Sequence, residues 1–288
     1  MTDTTQDTGA GPTQLPGVAL REHDVQLGVS PEQAAAATRS HRSRFLAEVE
    51  ALSPDEWTAQ SRCSAWSVQD VVRHGVHINT VLLDGVAAAR AGERFAFFST
   101  FNPKLSPLEY LEAHGPEPVE ASLAAYAETT QRLITVVDEL VADGADLLVA
   151  SPVGRQPWHR SVLHGLFDSA IHERDILAPL GRVPDPAPPA DELTAIAAYQ
   201  VLLVGRFLAV VGMPFDLALH LDGGPALRFR VDGPLVSVQP GGTDGAAVEA
   251  RGEVYAVLDA MVGRGSLADA LDAPPEVVAA MSAISSLV

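Results

Sequence analysis

Three side chains that can bind a metal ion recur at every fourth position in one stretch of the chain: His164, Asp168 and His172. In a helix this spacing lines them along one face, with successive side chains about 6 Å apart. An aspartate and a histidine four residues apart can chelate one divalent ion, as the paired histidines of zinc-peptidase helices do. His74 lies on the apolar stripe of another predicted helix and can supply a third ligand from across a bundle. Two imidazoles and one carboxylate form a catalytic ligand set for zinc or another first-row metal.

The same residues also have a structural interpretation, which the pattern leaves open. A histidine on an apolar helix face is more often a hydrogen-bonded core residue than a ligand. We expect His164 to be a core residue or a hydrogen-bond donor behind the ligands rather than a fourth ligand. His77 faces a pocket mouth or solvent. Asp175 either orients a ligand histidine or caps local structure with Arg174, and Cys63 is expected to be a small buried residue rather than a nucleophile.

Four long helices are predicted to carry these side chains. Ser30, followed by a proline and by a glutamine three residues on, forms a capping box. Ser67 and Asp70 form the corresponding start of the second helix, and Gly92 ends it. Short to moderate connections favour a helical bundle. The loop over 93–107 contains four phenylalanines, so it covers a pocket or packs on the bundle. The predicted helices span residues 30–52, 67–92, 117–141 and 159–180.

The pattern changes after a proline-rich connection over 183–192, which indicates a linker or domain boundary. An apolar helix over 191–211 precedes a switch to alternating apolar residues, and Asp-Gly pairs separate the alternating runs. The segment ALRFRVDGPLVSV is a hairpin candidate. We therefore predict a mobile tail over 1–29, a helical bundle over 30–182 and a small α+β domain over 191–288.

Composition excludes several classes of protein. The 288 residues carry 19 Lys and Arg against 37 Asp and Glu, a formal charge of −18, which argues against nucleic-acid or anionic-membrane partners. One cysteine excludes an intrachain disulfide framework and a multi-cysteine zinc site. The start of the chain lacks the pattern of a signal peptide, and Arg206 interrupts the most apolar stretch. We expect a cytoplasmic protein that is a monomer or homodimer and binds small molecules.

Two motifs carry a resemblance to a known family. The stretch CSAWSVQDVVRH (63–74), preceded by Trp57, and the stretch DSAIHERDILAPLG (168–181) resemble the mycothiol-dependent maleylpyruvate isomerase family. That family combines a DinB-like, metal-binding four-helix bundle with a C-terminal domain like a small sterol-carrier domain. The segment GEVYAVLDAMVGR (252–264) matches the second domain more weakly. The tryptophans of the first motif are expected to pack the bundle.

The resemblance implies a set of functional residues. The metal ligands of the family fall on His74, Asp168 and His172, and its active-site arginine falls on Arg264. The family's glutamate is an aspartate here, one methylene shorter. The implied cofactors are a divalent metal, zinc first, and mycothiol as cosubstrate. The implied activity is a thiol transfer to, or a cis–trans isomerisation of, a small electrophile. Two alternatives remain: a metal-dependent hydrolase or transferase without a thiol, and a non-catalytic binding protein for an apolar small molecule.

Overall fold

The structure is a computed structural model that describes residues 24–99, 102 and 105–285. Residues 1–23 of the predicted tail lie outside this range. The rest of that prediction is wrong, because Val25–Leu27 form strand β1 instead of continuing a mobile tail. This strand pairs in parallel with residues 236–238, more than two hundred positions away. The beginning of the described chain therefore belongs to the sheet of the C-terminal half.

The N-terminal half is a bundle of four long helices. The predicted capping boxes at Ser30 and Ser67 are both present, and Gly92 ends its helix in the left-handed conformation with φ of 69°. The connection before the last long helix contains a small antiparallel hairpin. The elements are α1 (Pro31–Glu50), α2 (Pro54–Trp57), α3 (Val68–Ala91), α4 (Ser106–His114), α5 (Val119–Ala142), β2 (Leu148–Ser151), β3 (Gly154–Pro157) and α6 (Trp158–Leu177).

The C-terminal half is an α+β unit, as the change of period predicted. Its sheet has the strand order β1-β6-β5-β4-β7, and the predicted hairpin is the antiparallel pair β5 and β6. The alternating leucines Leu217, Leu219 and Leu221 are all buried on one face. The elements are α7 (Ala190–Val210), β4 (Phe215–Asp222), β5 (Ala226–Asp232), β6 (Leu235–Pro240), β7 (Val248–Glu253), α8 (Val254–Met261), α9 (Leu267–Ala270) and α10 (Pro275–Met281).

Helix α7 joins the two halves. It packs against α1 and α6 on one side and against β5 and β6 on the other, so one apolar core runs from the bundle into the sheet. A buried ion cluster reinforces this junction, where Arg44 of α1 contacts Glu173 of α6 and Glu192 of α7. Among the described residues, α7 alone is long and apolar enough to cross a membrane, and 72% of its apolar window is buried, as in a core helix.

Candidate metal centre

The structure brings His74 of α3 together with Asp168 and His172 of α6. Nε2 of His74 lies 3.6 Å from Oδ2 of Asp168, and Nε2 of His172 lies 3.8 Å from Oδ1 of the same carboxylate. The three ligand atoms all lie within 4.8 Å of one another. Around a tetrahedral zinc ion with bonds of about 2.0–2.1 Å, neighbouring ligand atoms are about 3.3 Å apart. The shorter aspartate therefore reaches one imidazole with each of its oxygens, and both distances are slightly longer than those around zinc.

The charges of the cluster suit a cation. Burial lowers the pKa of His74 more than Asp168 raises it, so this imidazole is neutral. Burial opposes ionisation of Asp168, but His172 and His74 outweigh it and hold its pKa below the usual range. Burial also lowers the pKa of His172, yet Asp168 and Asp175 overcome this effect and raise it to about 10. Without metal, the site holds one imidazolium beside one carboxylate, so a metal ion has to displace one proton.

The cluster is enclosed on one side and accessible on the other. The ring of Trp66 lies 5.0 Å from that of His74 and 5.9 Å from that of His172, measured between centroids. Nδ1 of His74 is buried and has no hydrogen-bond partner among the described residues. The Asp168 side chain keeps 25% of its surface exposed, against 5% and 11% for the two histidines. The side of the cluster that solvent reaches is therefore the side of Asp168.

A second group of side chains lies behind His172. Oδ2 of Asp175 is 3.1 Å from Nδ1 of His172, and the Asp175 carboxylate is fully buried. Arg62 and Arg264 both donate to Asp175, through Nε atoms at 2.9 Å and 3.0 Å from Oδ1. Sγ of Cys63 lies 3.2 Å from Oδ2. Of the two predicted alternatives for Asp175, the geometry matches the one in which it orients a ligand histidine.

Arg264, for which the resemblance implies a catalytic role, lies in this second group. Its Nε and one terminal nitrogen contact Asp175 at 3.0 Å and 3.1 Å, and that nitrogen is 3.6 Å from Sγ of Cys63. The side chain is 19% exposed. Its described contacts are with the residues behind His172, and its catalytic role stays a prediction.

The remaining histidines lie beside the cluster. The hydroxyl of Tyr199 lies 3.0 Å from Nδ1 of His164. Among the described residues, His164 belongs to no cluster of side chains that could hold a metal ion. His77 is buried, and its ring stacks on Tyr110 with 3.7 Å between centroids, so of its two expected positions the solvent-facing one is excluded. In the described part of the phenylalanine-rich loop, Phe97 contacts His77, so this part packs on α3.

Sequence reasoning missed Arg62, which contacts Asp175, and Tyr110, which stacks on His77 beside the site. Arg62 precedes the recognised motif directly, but its partners Asp175 and Asp259 are 113 and 197 positions away. No local spacing connects such residues. Trp57 is buried as expected, whereas Trp66 also lies against the histidines of the candidate metal site.

In this fold, a bundle of four long helices that carries the candidate metal centre packs against an α+β unit. Residues 38–177 match the family model described as the mycothiol maleylpyruvate isomerase N-terminal domain. The resemblance that the two sequence motifs predicted is thereby confirmed for this part of the chain.

The comparison with solved structures extends over both halves. This chain is similar to two crystal structures of the mycothiol-dependent maleylpyruvate isomerase, one of them a histidine-to-alanine mutant. Each of them shares 16% sequence identity with this chain and superposes on it with a TM-score of 0.59. Each match covers 88% of this chain and 95% of the other. The predicted fold class, a bundle followed by an α+β unit, is thereby confirmed. The comparison with curated proteins gives no significant match.

Proposed function

We propose that this protein is a divalent-metal-dependent enzyme that activates a small thiol, mycothiol, for attack on a small electrophile. The observation that carries the proposal is the convergence of His74, Asp168 and His172 within 4.8 Å. The family of the bundle, named for mycothiol maleylpyruvate isomerase, supplies the identity of the thiol. The single cysteine of the chain agrees with a sulfur nucleophile that arrives as a cosubstrate.

The chain would hold the metal through Nε2 of both histidines and the carboxylate of Asp168. With these ligands a divalent ion would retain about one net positive charge, and it would lower the pKa of a bound thiol as it does that of bound water. Asp175 accepts the Nδ1 proton of His172 in a hydrogen bond and leaves Nε2 free to act as a ligand. Trp66 shields the two imidazoles, so the thiol and the electrophile meet on the Asp168 side.

The reaction that follows is an addition to a conjugated cis double bond. The sulfur forms a bond to one alkene carbon, and the electron pair of the double bond moves into the conjugated carbonyl group. The former double bond is now single and rotates. Expulsion of the sulfur with its electron pair restores the double bond in the trans form and regenerates the thiolate. If the enolate instead takes up a proton from water at the other alkene carbon, the sulfur stays bound and the adduct is the product of a thiol transfer.

The test compares zinc-loaded and chelator-stripped full-length protein, with mycothiol and maleylpyruvate as substrates. We expect turnover that requires both zinc and the thiol, and its loss in His172→Ala. The matched control is His220→Ala, since His220 lies in strand β4 of the C-terminal sheet. Turnover by the metal-free protein would refute the proposal. Turnover that needs zinc but no thiol would support a hydrolase, and absence of stoichiometric metal binding would support a binding protein.

A further inference from the structure

The carboxylate of Asp175 links the metal cluster to the C-terminal half. It has no exposed surface, and it contacts His172 on one side and the guanidinium groups of Arg62 and Arg264 on the other. Arg62 precedes α3, whereas Arg264 follows α8. Arg264 donates to both oxygens of this carboxylate, and Arg62 donates to one of them. Since both of its oxygens accept from arginines, the carboxylate meets Nδ1 of His172 as a hydrogen-bond acceptor, at 3.1 Å.

A second carboxylate, Asp259 of α8, lies in the same junction without touching the metal cluster. It accepts from Arg62 at 2.6 Å and from Nε of Arg174 at 2.6 Å. Arg174 also donates to the carbonyl oxygen of Ala170 in α6. Arg62 therefore donates to both Asp175 and Asp259, and both carboxylates lie at the junction of α6 with α8 and the turn after it. Only Asp175 also contacts a predicted metal ligand, His172.

We propose that Asp175 is a positioning residue for His172, and that Arg264 supports metal binding by holding Asp175 in place rather than by contacting the substrate. A ligating histidine commonly donates its second ring N–H to a carboxylate, which fixes the tautomer and the orientation of the ring. Here that carboxylate is fixed in turn by an arginine of the C-terminal half. Docking of α8 and the turn after it thus strengthens the metal site on α6.

This role rests on the proposed metal-dependent function, but measurements of metal affinity distinguish the two. Binding by the wild type tests the function, and the change in affinity of a variant tests the role of Asp175. Full-length, metal-free protein is titrated with Zn²⁺ in competition with a chromophoric chelator, and with Co²⁺ to record its visible absorption bands. We expect Asp175→Asn to weaken Zn²⁺ binding by about 10-fold to 100-fold and to change the Co²⁺ bands, because the ring of His172 is less constrained. The matched control is Asp259→Asn, which alters the same junction and should leave both readings as in the wild type.

Two results would overturn the role of Asp175: wild-type affinity and Co²⁺ bands in Asp175→Asn, or an equal loss in Asp259→Asn. If Asp175→Asn does not fold, Arg264→Met replaces it, with Arg174→Met as its control. We then expect Arg264→Met to bind Zn²⁺ up to about tenfold more weakly than the wild type, and Arg174→Met to bind it as the wild type does. Equal Zn²⁺ affinities of the two variants would overturn the role of Asp175. A wild-type protein that binds neither ion would refute the proposed metal-dependent function itself.

Discussion

In the metal-free protein, His172 should be an imidazolium ion whose charge depends on Asp168. The substitution that tests this is Asp168→Asn, which removes the negative charge and keeps the shape. Oδ1 of Asp168 lies 3.8 Å from Nε2 of His172. At this distance and an effective dielectric constant of about 20, the attraction is about 4 kcal/mol, or roughly a thousandfold in the proton affinity of the imidazole. The pKa of His172, raised to about 10 in the wild type, should therefore fall strongly towards the ordinary range of histidine.

The measurement is an NMR titration of the histidine ring nitrogens in metal-free, full-length protein, with His172→Ala to assign the resonances. The exposed Asp146→Asn serves as a matched control and should leave the titration of His172 unchanged. If His172 titrates at the same pH in Asp168→Asn and in the wild type, the electrostatic argument is wrong. A confirmed imidazolium predicts that Zn²⁺ binding at neutral pH releases the proton of His172, which calorimetry in buffers of different ionisation enthalpy can measure.

Two further predictions concern stability. Burial raises the pKa of Glu48 to about 7, so ionisation of this carboxyl lowers the stability of the fold as the pH rises from 5 to 8. In urea unfolding at pH 8, Glu48→Gln should therefore be more stable than the wild type by about 1 kcal/mol. The control Glu50→Gln, at an exposed position, should change the stability little. A Cβ atom at Gly205 would lie 2.6 Å from Phe229 Cε2 in the sheet, so Gly205→Ala should destabilise the protein by about 1–3 kcal/mol. Gly265→Ala, where the added atom meets ordinary contacts at 3.8 Å, should be nearly neutral in the same assay.

Local signals in the sequence determined most of the secondary structure. The serine caps at residues 30 and 67 and the glycine at 92 act within a few positions of themselves, and all three function as predicted. The alternation of Leu217 and Leu219 likewise reflects a strand whose leucines all face the core. Strand β1 escaped prediction, because its three residues pair with β6, far along the chain. Such pairing depends on packing between distant segments, which no local pattern records.

The same distinction applies to the site. The spacing of Asp168 and His172 and the inward position of His74 were readable, since a helix places residues four apart on one face. The sequence also offered Asp175 as a neighbour of a ligand histidine, but it left capping as an equal alternative. Only the tertiary structure decided between them, because the orientation of the Asp175 carboxylate depends on Arg62 and on an arginine of the docked C-terminal half, 89 positions away.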